Sequence, residues 1–451
     1  METTADSGVR TYSARWVFPV AGPPLERGTV SVRGDRIEAV VPRGVRTPNE
    51  DLGNVAIIPG LVNAHTHLDL SGARGLIPPT DPDHFTDWLK GVIAYRRTLT
   101  PQQTQADIRT GLAECLKFGT TLIGDIASEG ASWDAVSAAK TRAVVFWELI
   151  GLSQERAVAA SLLVRGIADR LTAETILTPP PVWGRSASEA SREGGGLNAP
   201  PSARTYCSAD LLPTGGGVKA TRLGFSPHAP YSVGKMLLKD VWGAAREHRI
   251  PVVTHLAETS TEQELLTHHR GPFATFLRDL GLWHPSNLTQ SWEDWVNRRK
   301  RRAPDLYIHA NYLTPTRRIP PNGSIVYCPR THAAFGHPSH PFRDFLARGV
   351  RVCLGTDSLA SNPDLDILAE ARFMRSRYPD FPGDQLLRMV TLSGAEALGW
   401  ADECGSLETG KSADFVVIPL PNEEVPEPHD LILRQTDVGE RRTMWRGEWR
   451  S

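Results

Sequence analysis

Cysteine is scarce in this 451-residue chain, and charge of neither sign dominates. The five cysteines form no C-x-x-C pair, which argues against a disulfide framework or a cysteine zinc site. A formal net charge of −1 gives no overall field that would attract nucleic acid or anionic lipid. These features predict reduced thiols and partners that are small molecules, not nucleic acid.

Long apolar stretches are also missing. The chain contains no run of about 18 apolar residues, the length that is needed to cross a membrane. The N-terminal segment lacks the apolar core of a signal peptide. We therefore expect a cytoplasmic protein without a membrane partner. The oligomeric state is left open, with a homodimer as one alternative.

What the chain does contain is a repeated alternation of short apolar runs with segments of helical pattern, such as 100–119 and 234–249. The shortness of the runs and their Gly and Pro flanks favour strands. Eight alternations predict a parallel sheet closed into a (β/α)8 TIM barrel, an α/β fold. The eight runs are 61–68, 120–126, 143–151, 222–231, 251–258, 306–313, 324–331 and 350–359.

The two ends of the chain have a different pattern. Alternating runs with turn signals, such as T-V-S-V-R-G-D-R-I-E-A-V-V, predict hairpins in the N-terminal part, and the C-terminal stretches K-S-A-D-F-V-V-I-P-L and R-R-T-M-W-R-G-E-W-R also read as strands. We expect 1–58 and 405–451 to form one small composite β-sandwich beside a barrel at 59–404.

Two segments interrupt the alternation. Residues 177–220 are rich in Pro, Gly and Ser, which predicts a flexible insertion, with a lid as the alternative. Residues 291–305 contain a basic run, which is typical of a solvated surface.

Metal-binding and acidic side chains gather at the ends of the predicted strands, where barrel enzymes have their active sites. His65 and His67 are two residues apart and therefore face the same side of a strand. Each residue alone has an ordinary explanation, such as a packed histidine or a helix cap. Their occurrence together at one rim predicts a functional site. The other members are His228, His255, Glu258, His309 and Asp357.

The motifs H-T-H, S-P-H-A-P-Y, H-L-A-E-T, H-A-N and G-T-D-S-L-A-S-N occur in this order along the chain. With I-I-P-G-L-V-N before the first strand and G-S-L-E-T-G-K-S-A-D-F-V-V-I near the end, the sequence resembles the amidohydrolase superfamily. Its most similar branch holds adenosine-type, S-adenosylhomocysteine, guanine and aminofutalosine deaminases and triazine hydrolases. The resemblance implies a distorted barrel, a composite β-sandwich and one divalent metal ion.

The resemblance also implies a ligand set of imidazoles and one carboxylate, which suits Zn²⁺, with Fe²⁺ or Mn²⁺ as alternatives. The metal would lower the pKa of its water towards about 7, so that hydroxide attacks an electrophilic ring carbon. Asp357 would accept the proton of that water while remaining near the ion. The implied ligands are His65, His67, His255 and Asp357.

Further roles follow from the same resemblance. Glu258 would act as general acid and proton shuttle, and His309 would orient the hydroxide or stabilise the tetrahedral intermediate. His228, Ser361 and Trp88 would contact the substrate, although helix packing is an equal explanation for Trp88.

Some positions depart from the family pattern. Relatives often have a serine and an asparagine after the seventh strand, whereas this chain has C-P-R-T-H with His332. No lysine ends the third or fourth strand, so a carbamylated-lysine bridge between two metals is not expected. Glu148 ends the third strand, where we expect it either to form a polar wall of the site or to have a structural role.

Hydrolysis of a carbon–nitrogen bond, by deamination of a purine-like heterocycle such as an aminofutalosine or adenosine-type substrate, is the leading hypothesis. The same site would also serve a chloro- or amino-triazine hydrolase or a cyclic-amide hydrolase. A non-catalytic scaffold is a further alternative, but such relatives lose ligands that this chain retains.

Overall fold

The computed structural model describes residues 8–177, 220–296, 303–315, 319–434 and 439–450. Most of the predicted insertion, 178–219, lies outside the described residues, as do 297–302 of the predicted basic run.

Among the described residues, seven strands precede the barrel. They are β1 (Val9–Ser13), β2 (Trp16–Val17), β3 (Leu25–Glu26), β4 (Thr29–Arg33), β5 (Arg36–Val41), β6 (Glu50–Asp51) and β7 (Val55–Pro59). The β4–β5 hairpin turns at Gly34, whose φ of +57° suits glycine, and this is the hairpin that the R-G-D stretch predicts. One sheet has the order β5-β4-β1-β6.

Eight parallel strands follow, each paired with the next along the chain. The first and last approach each other where the Asp357 N–H donates to the carbonyl of His65 at 3.1 Å. The predicted TIM barrel is therefore confirmed. Its strands are β8 (Leu61–Thr66), β9 (Thr120–Ser128), β10 (Arg142–Leu149), β11 (Thr221–Pro227), β12 (Val252–Leu256), β13 (Asp305–His309), β14 (Gly323–Tyr327) and β15 (Arg351–Leu354).

Helices connect the barrel strands. A capping box at Thr100 and Gln103, with Pro101 in the first turn, fixes the start of α2. A 3-10 turn, Leu68–Ala73, follows β8, and a second, Pro82–His84, precedes α1. The helices are α1 (Phe85–Thr98), α2 (Pro101–Lys117), α3 (Trp133–Ser137), α4 (Gln154–Leu177), α5 (Lys235–His248), α6 (Ser260–His268), α7 (Pro272–Asp279), α8 (Glu293–Val296), α9 (Pro329–Ala334), α10 (Phe342–Ala347), α11 (Ile367–Arg377), α12 (Gly383–Met389), α13 (Leu392–Ala397) and α14 (Asp430–Leu433).

The C-terminal strands return to the N-terminal ones. They are β16 (Phe415–Pro419), β17 (Arg442–Trp445) and β18 (Glu448–Trp449), and their sheet has the order β18-β17-β16-β7-β2-β3. β16 pairs antiparallel with β7, and both terminal sheets share one apolar core. The small β domain from both termini is thus confirmed. Its boundaries at 58/59 and 404/405 stay predictions, since β7 runs to Pro59.

Among the described residues, no helix combines the length and the apolar character needed to traverse a bilayer.

Candidate metal and catalytic site

The predicted site residues occupy the carboxyl-terminal ends of the barrel strands. His65 lies on β8 and His67 directly after it, His255 lies on β12, and His309 ends β13. Asp357 comes three residues after β15. All five side chains are buried, because the strand ends converge on the axis of the barrel.

Ligand-type atoms of these side chains meet in a small volume. The Nε2 atoms of His67 and His255 are 3.3 Å apart. Asp357 Oδ1 lies 3.3 Å from His65 Nε2 and 3.9 Å from His67 Nε2. Bonds of about 2.1 Å around one tetrahedral ion would place ligand atoms about 3.4 Å apart. The spacing therefore fits a single metal ion.

The local electrostatics agree with a ligand role. Burial lowers the pKa of His67 and of His255 far below the usual value, and neighbouring imidazoles lower both further, so these rings are neutral. Burial alone would raise the pKa of Asp357, but its interactions with His65, His309 and His67 lower it overall and keep the carboxylate ionised. His65 Nε2 is buried without a hydrogen-bond partner. A cation would satisfy this atom.

Neighbouring groups orient the ligands. The carbonyl of His228 accepts a bond from His255 Nδ1 at 3.1 Å, which fixes the tautomer and leaves the Nε2 lone pair directed at the site. The Ser358 N–H donates to Asp357 Oδ1 at 2.8 Å, and the Ser361 hydroxyl donates to Oδ2 at 3.1 Å.

Glu258 and His309 form a second pair beside the ligands. Glu258 Oε1 lies 3.3 Å from His309 Nε2. Burial raises the pKa of Glu258 well above its usual value, and the charges of Asp357 and Glu262 raise it further, so Glu258 holds its proton to higher pH than an exposed carboxyl group does. His309 also forms a possible ligand group with His65 and His255.

His309 adopts an unusual backbone conformation. Its φ is +66° and that of Ala310 is +53°, in the left-handed region that disfavours side chains. His340 Nε2 donates to the His309 carbonyl at 2.7 Å, and the Ala310 N–H donates to the Leu256 carbonyl at 3.0 Å. These bonds hold the strained turn that directs the His309 ring to the site.

A pocket opens over this cluster. Of the predicted substrate contacts, His228 and Trp88 line it, while Ser361 does not and lies behind Asp357. Trp88 also packs against Phe85 and Phe335, so its side chain has a packing role as well. The pocket lining further includes Arg96, Glu148, Tyr231, Phe85 and Val92.

Sequence reasoning missed Arg96. Its guanidinium contacts Glu148 and Asp69, each at 3.0 Å. One signal was available, because Arg96 follows Trp88 by eight residues on α1 and so lies on a similar helix face. Asp69, two residues after the histidine pair, gave no signal of its own.

The sequence model described as "Amidohydrolase family" matches residues 56–449. The chain therefore belongs to this family and is a metal-dependent hydrolase, and the predictions of family, fold and enzyme class are confirmed.

Individual relatives share less than a third of their residues with this chain. The 5-methylthioadenosine/S-adenosylhomocysteine deaminase of Teredinibacter turnerae is 29% identical, and the match covers 96% of this chain and 89% of the relative. Two solved structures share the fold. Helicobacter pylori aminofutalosine deaminase in complex with methylthio-coformycin has a TM-score of 0.75 at 20% identity, covering 98% of this chain and 100% of the other. Xanthomonas campestris adenosine deaminase with bound zinc has a TM-score of 0.68 at 23% identity, covering 97% and 92%.

Proposed function

We propose that this chain hydrolytically deaminates adenosine-type nucleosides with a 5′-thio substituent, using one zinc ion. The observation that carries the proposal is the convergence of three buried imidazoles and one ionised carboxylate beside Glu258, whose pKa burial raises well above its usual value. The Teredinibacter relative, a 5-methylthioadenosine/S-adenosylhomocysteine deaminase, supports the substrate class. The zinc-containing Xanthomonas structure supports the choice of metal.

The proposed ligands are His65, His67, His255 and Asp357. Neutral nitrogen donors with one carboxylate are a donor set that zinc prefers, and a buried unpartnered Nε2 is available on His65. When bound, the ion supplies a water that is acidic enough to become a nucleophile near neutral pH.

The side chains of the chain itself move the protons. Asp357 remains ionised and accepts the proton that the attacking water loses. Glu258 holds a proton and donates it to the ring nitrogen beside the reacting carbon, which makes that carbon electrophilic. His309 contacts Glu258 and orients the water. Asp357 then passes its proton to the amino group, which leaves as ammonia. The remaining hydroxyl proton returns to Glu258, and the heterocycle keeps the water oxygen as a carbonyl.

Apolar and aromatic side chains shape the space for the heterocycle. Phe85, Trp88 and Val92 of α1 line the pocket, and so does His228, which lies beside Glu148. His228 Nδ1 pairs with the Ser232 hydroxyl at 2.8 Å, so its other nitrogen is directed towards the pocket. We propose that His228 hydrogen-bonds the substrate there.

Ammonia release tests the proposal. Zinc-loaded enzyme is assayed with 5′-methylthioadenosine, S-adenosylhomocysteine, adenosine, aminofutalosine, guanine and atrazine. We expect kcat/KM for the first two to exceed the others at least about tenfold. Glu258→Gln is the matched control for contaminating deaminases. Turnover of atrazine without release of ammonia from any nucleoside would contradict the proposal.

The predicted cytoplasmic location and the homodimer alternative stay predictions. Sedimentation of the purified chain across a concentration series distinguishes a dimer from a monomer.

A further inference from the structure

A second cavity lies beside the reaction pocket, on the same face of the barrel. Its volume is about 720 Å³, whereas the reaction pocket has about 50 Å³. Ligand pockets for small molecules usually span about 300–1,000 Å³, so the reaction pocket alone does not enclose a substrate. The second cavity is lined by the segment after β9 and by the end of α1 with the start of α2, and Arg96 lines both spaces.

Arg96 lies between the two spaces, and two carboxylates hold its guanidinium in place. We call Arg96, Asp69 and Glu148 together the Arg96 partition. Its Nη1 contacts Glu148 Oε2 and its Nη2 contacts Asp69 Oδ2, each at 3.0 Å. Glu148 lines the reaction pocket, where its Oε1 is 3.9 Å from His228 Nε2. Asp69 lines the second cavity. A series of polar groups therefore runs from His228 in the reaction pocket to the second cavity.

Two oxygens of this partition lack a partner. Asp69 is 4% exposed and Glu148 is 9% exposed. Asp69 Oδ1 and Glu148 Oε1 are buried without a hydrogen-bond partner. A buried acceptor without a donor costs free energy, so both atoms are suited to a ligand that brings N–H or O–H groups.

The wall of the second cavity is acidic and aromatic. Glu129 lies directly after β9 with a φ of +51°, a strained conformation that fixes its position at the cavity. Asp134 lies in the first turn of α3. Neither the Glu129 nor the Asp134 carboxylate has an ion-pair partner among the described residues. Trp133 and Trp147 contribute aromatic rings. Carboxylates beside indole rings favour a cation.

We propose that the second cavity binds the 5′ substituent of the substrate and selects one that ends in an ammonium group over one that ends in a carboxylate. Arg96 is already neutralised by Asp69 and Glu148, so it offers an anionic substituent little attraction. The heterocycle occupies the reaction pocket while the substituent passes the partition. This inference rests on the proposed deamination, whose heterocycle and leaving group it does not change.

The inference is tested with substrates that share one heterocycle and differ in the charge at the end of the 5′ substituent. Three 5′-alkylthioadenosines are compared, ending in a methyl, an aminoethyl or a carboxyethyl group. S-adenosylhomocysteine carries both charges and does not discriminate. For the native enzyme we expect kcat/KM for the aminoethyl compound to be about tenfold above that for the carboxyethyl compound, because each exposed charge pair contributes a modest factor.

The double variant Glu129→Gln/Asp134→Asn removes two negative charges at nearly constant shape. We expect the aminoethyl-to-carboxyethyl ratio to fall to about threefold or less. Glu247→Gln/Asp384→Asn is the matched control, since it removes two exposed carboxylates outside the cavity and leaves the ratio unchanged. Thermal melting of both variants checks that they fold.

The outcomes separate the two proposals. Equal kcat/KM for all three compounds in the native enzyme would overturn the role of the second cavity. An aminoethyl-to-carboxyethyl ratio that is unchanged in the double variant would overturn it as well. Neither result affects the proposed deamination. Failure to release ammonia from any of the three overturns the proposed deamination and this inference with it.

Discussion

The structure contains two clusters of buried or half-buried histidines, and their ring nitrogens are arranged differently. The first, the ligand cluster, consists of His65, His67, His255 and His309. The second, the packing cluster, consists of His332, His337 and His340. Burial lowers the pKa of His67, His255 and His309 in the first cluster, and it lowers the pKa to about 4 at His332 and about 3 at His340 in the second.

In the packing cluster the rings contact their neighbours through one nitrogen or through stacking, while His332 Nε2 and His340 Nδ1 are buried without a hydrogen-bond partner. His340 donates to the His309 carbonyl at 2.7 Å and stacks on Tyr327 at 3.9 Å, and His337 Nδ1 contacts the Tyr312 hydroxyl at 3.3 Å. Among the described residues, both groups with metal-ligand spacing lie in the ligand cluster with Asp357. Convergence of lone pairs on one point, rather than the number of buried imidazoles, thus defines the candidate metal site.

The largest expected effect comes from breaking the ligand cluster. His65→Ala removes a buried donor from the proposed metal shell, so we expect loss of bound zinc and an activity below about one thousandth of the native value. Elemental analysis of the purified protein measures the metal. His332→Ala is the matched control and should keep a full equivalent. A full equivalent in His65→Ala would contradict the ligand assignment.

Glu258→Gln should separate metal binding from proton transfer. The amide keeps the shape of the side chain but cannot donate an acidic proton. We expect a normal zinc content and a fall in kcat of about 100- to 1,000-fold. Steady-state kinetics with elemental analysis test this. A loss of less than tenfold would remove Glu258 from the proton-transfer step.

A smaller effect is expected from the hydrogen bond that joins the two clusters, between His340 and the His309 carbonyl. His340→Leu removes the donor to the His309 carbonyl, and the strained turn should relax and move the His309 ring. We expect kcat to fall about tenfold with KM and zinc content nearly unchanged. His340→Gln keeps an N–H donor and should recover most of the rate. An equal loss in both variants would assign His340 a packing role only.

The smallest effect concerns pH. The pKa of His332 is lowered to about 4 by burial, so the unfolded chain binds its proton first as the pH falls. The free energy of unfolding therefore decreases between about pH 6.5 and pH 4. In His332→Gln this slope should be smaller by up to about 1.4 kcal/mol per pH unit. Urea unfolding at pH 5 and 6 measures it, and parallel slopes for both proteins would exclude His332 as a contributor.

The sequence predicted the parts of the site that depend on strand order. Parallel strands end on one face, so His65, His255 and Asp357 had to approach each other once the barrel was recognised. The Arg96 partition depends instead on how α1 packs over the turn after β8 and over β10. Contacts of this kind join residues far apart in the chain and have no local pattern. For the same reason, the position of Ser361 behind Asp357 could not be read from its motif.

The pairing of β7 with β16 has a consequence for synthesis on the ribosome. β7 emerges early, with β2 on one side, but its other neighbour is made more than 350 residues later. The same late segment carries Asp414, which pairs with Arg142 at the start of β10. The nascent polypeptide therefore keeps one edge of β7 unpaired until β16 has been made. Messages cut short before β16 would yield products that chaperones and proteases recognise.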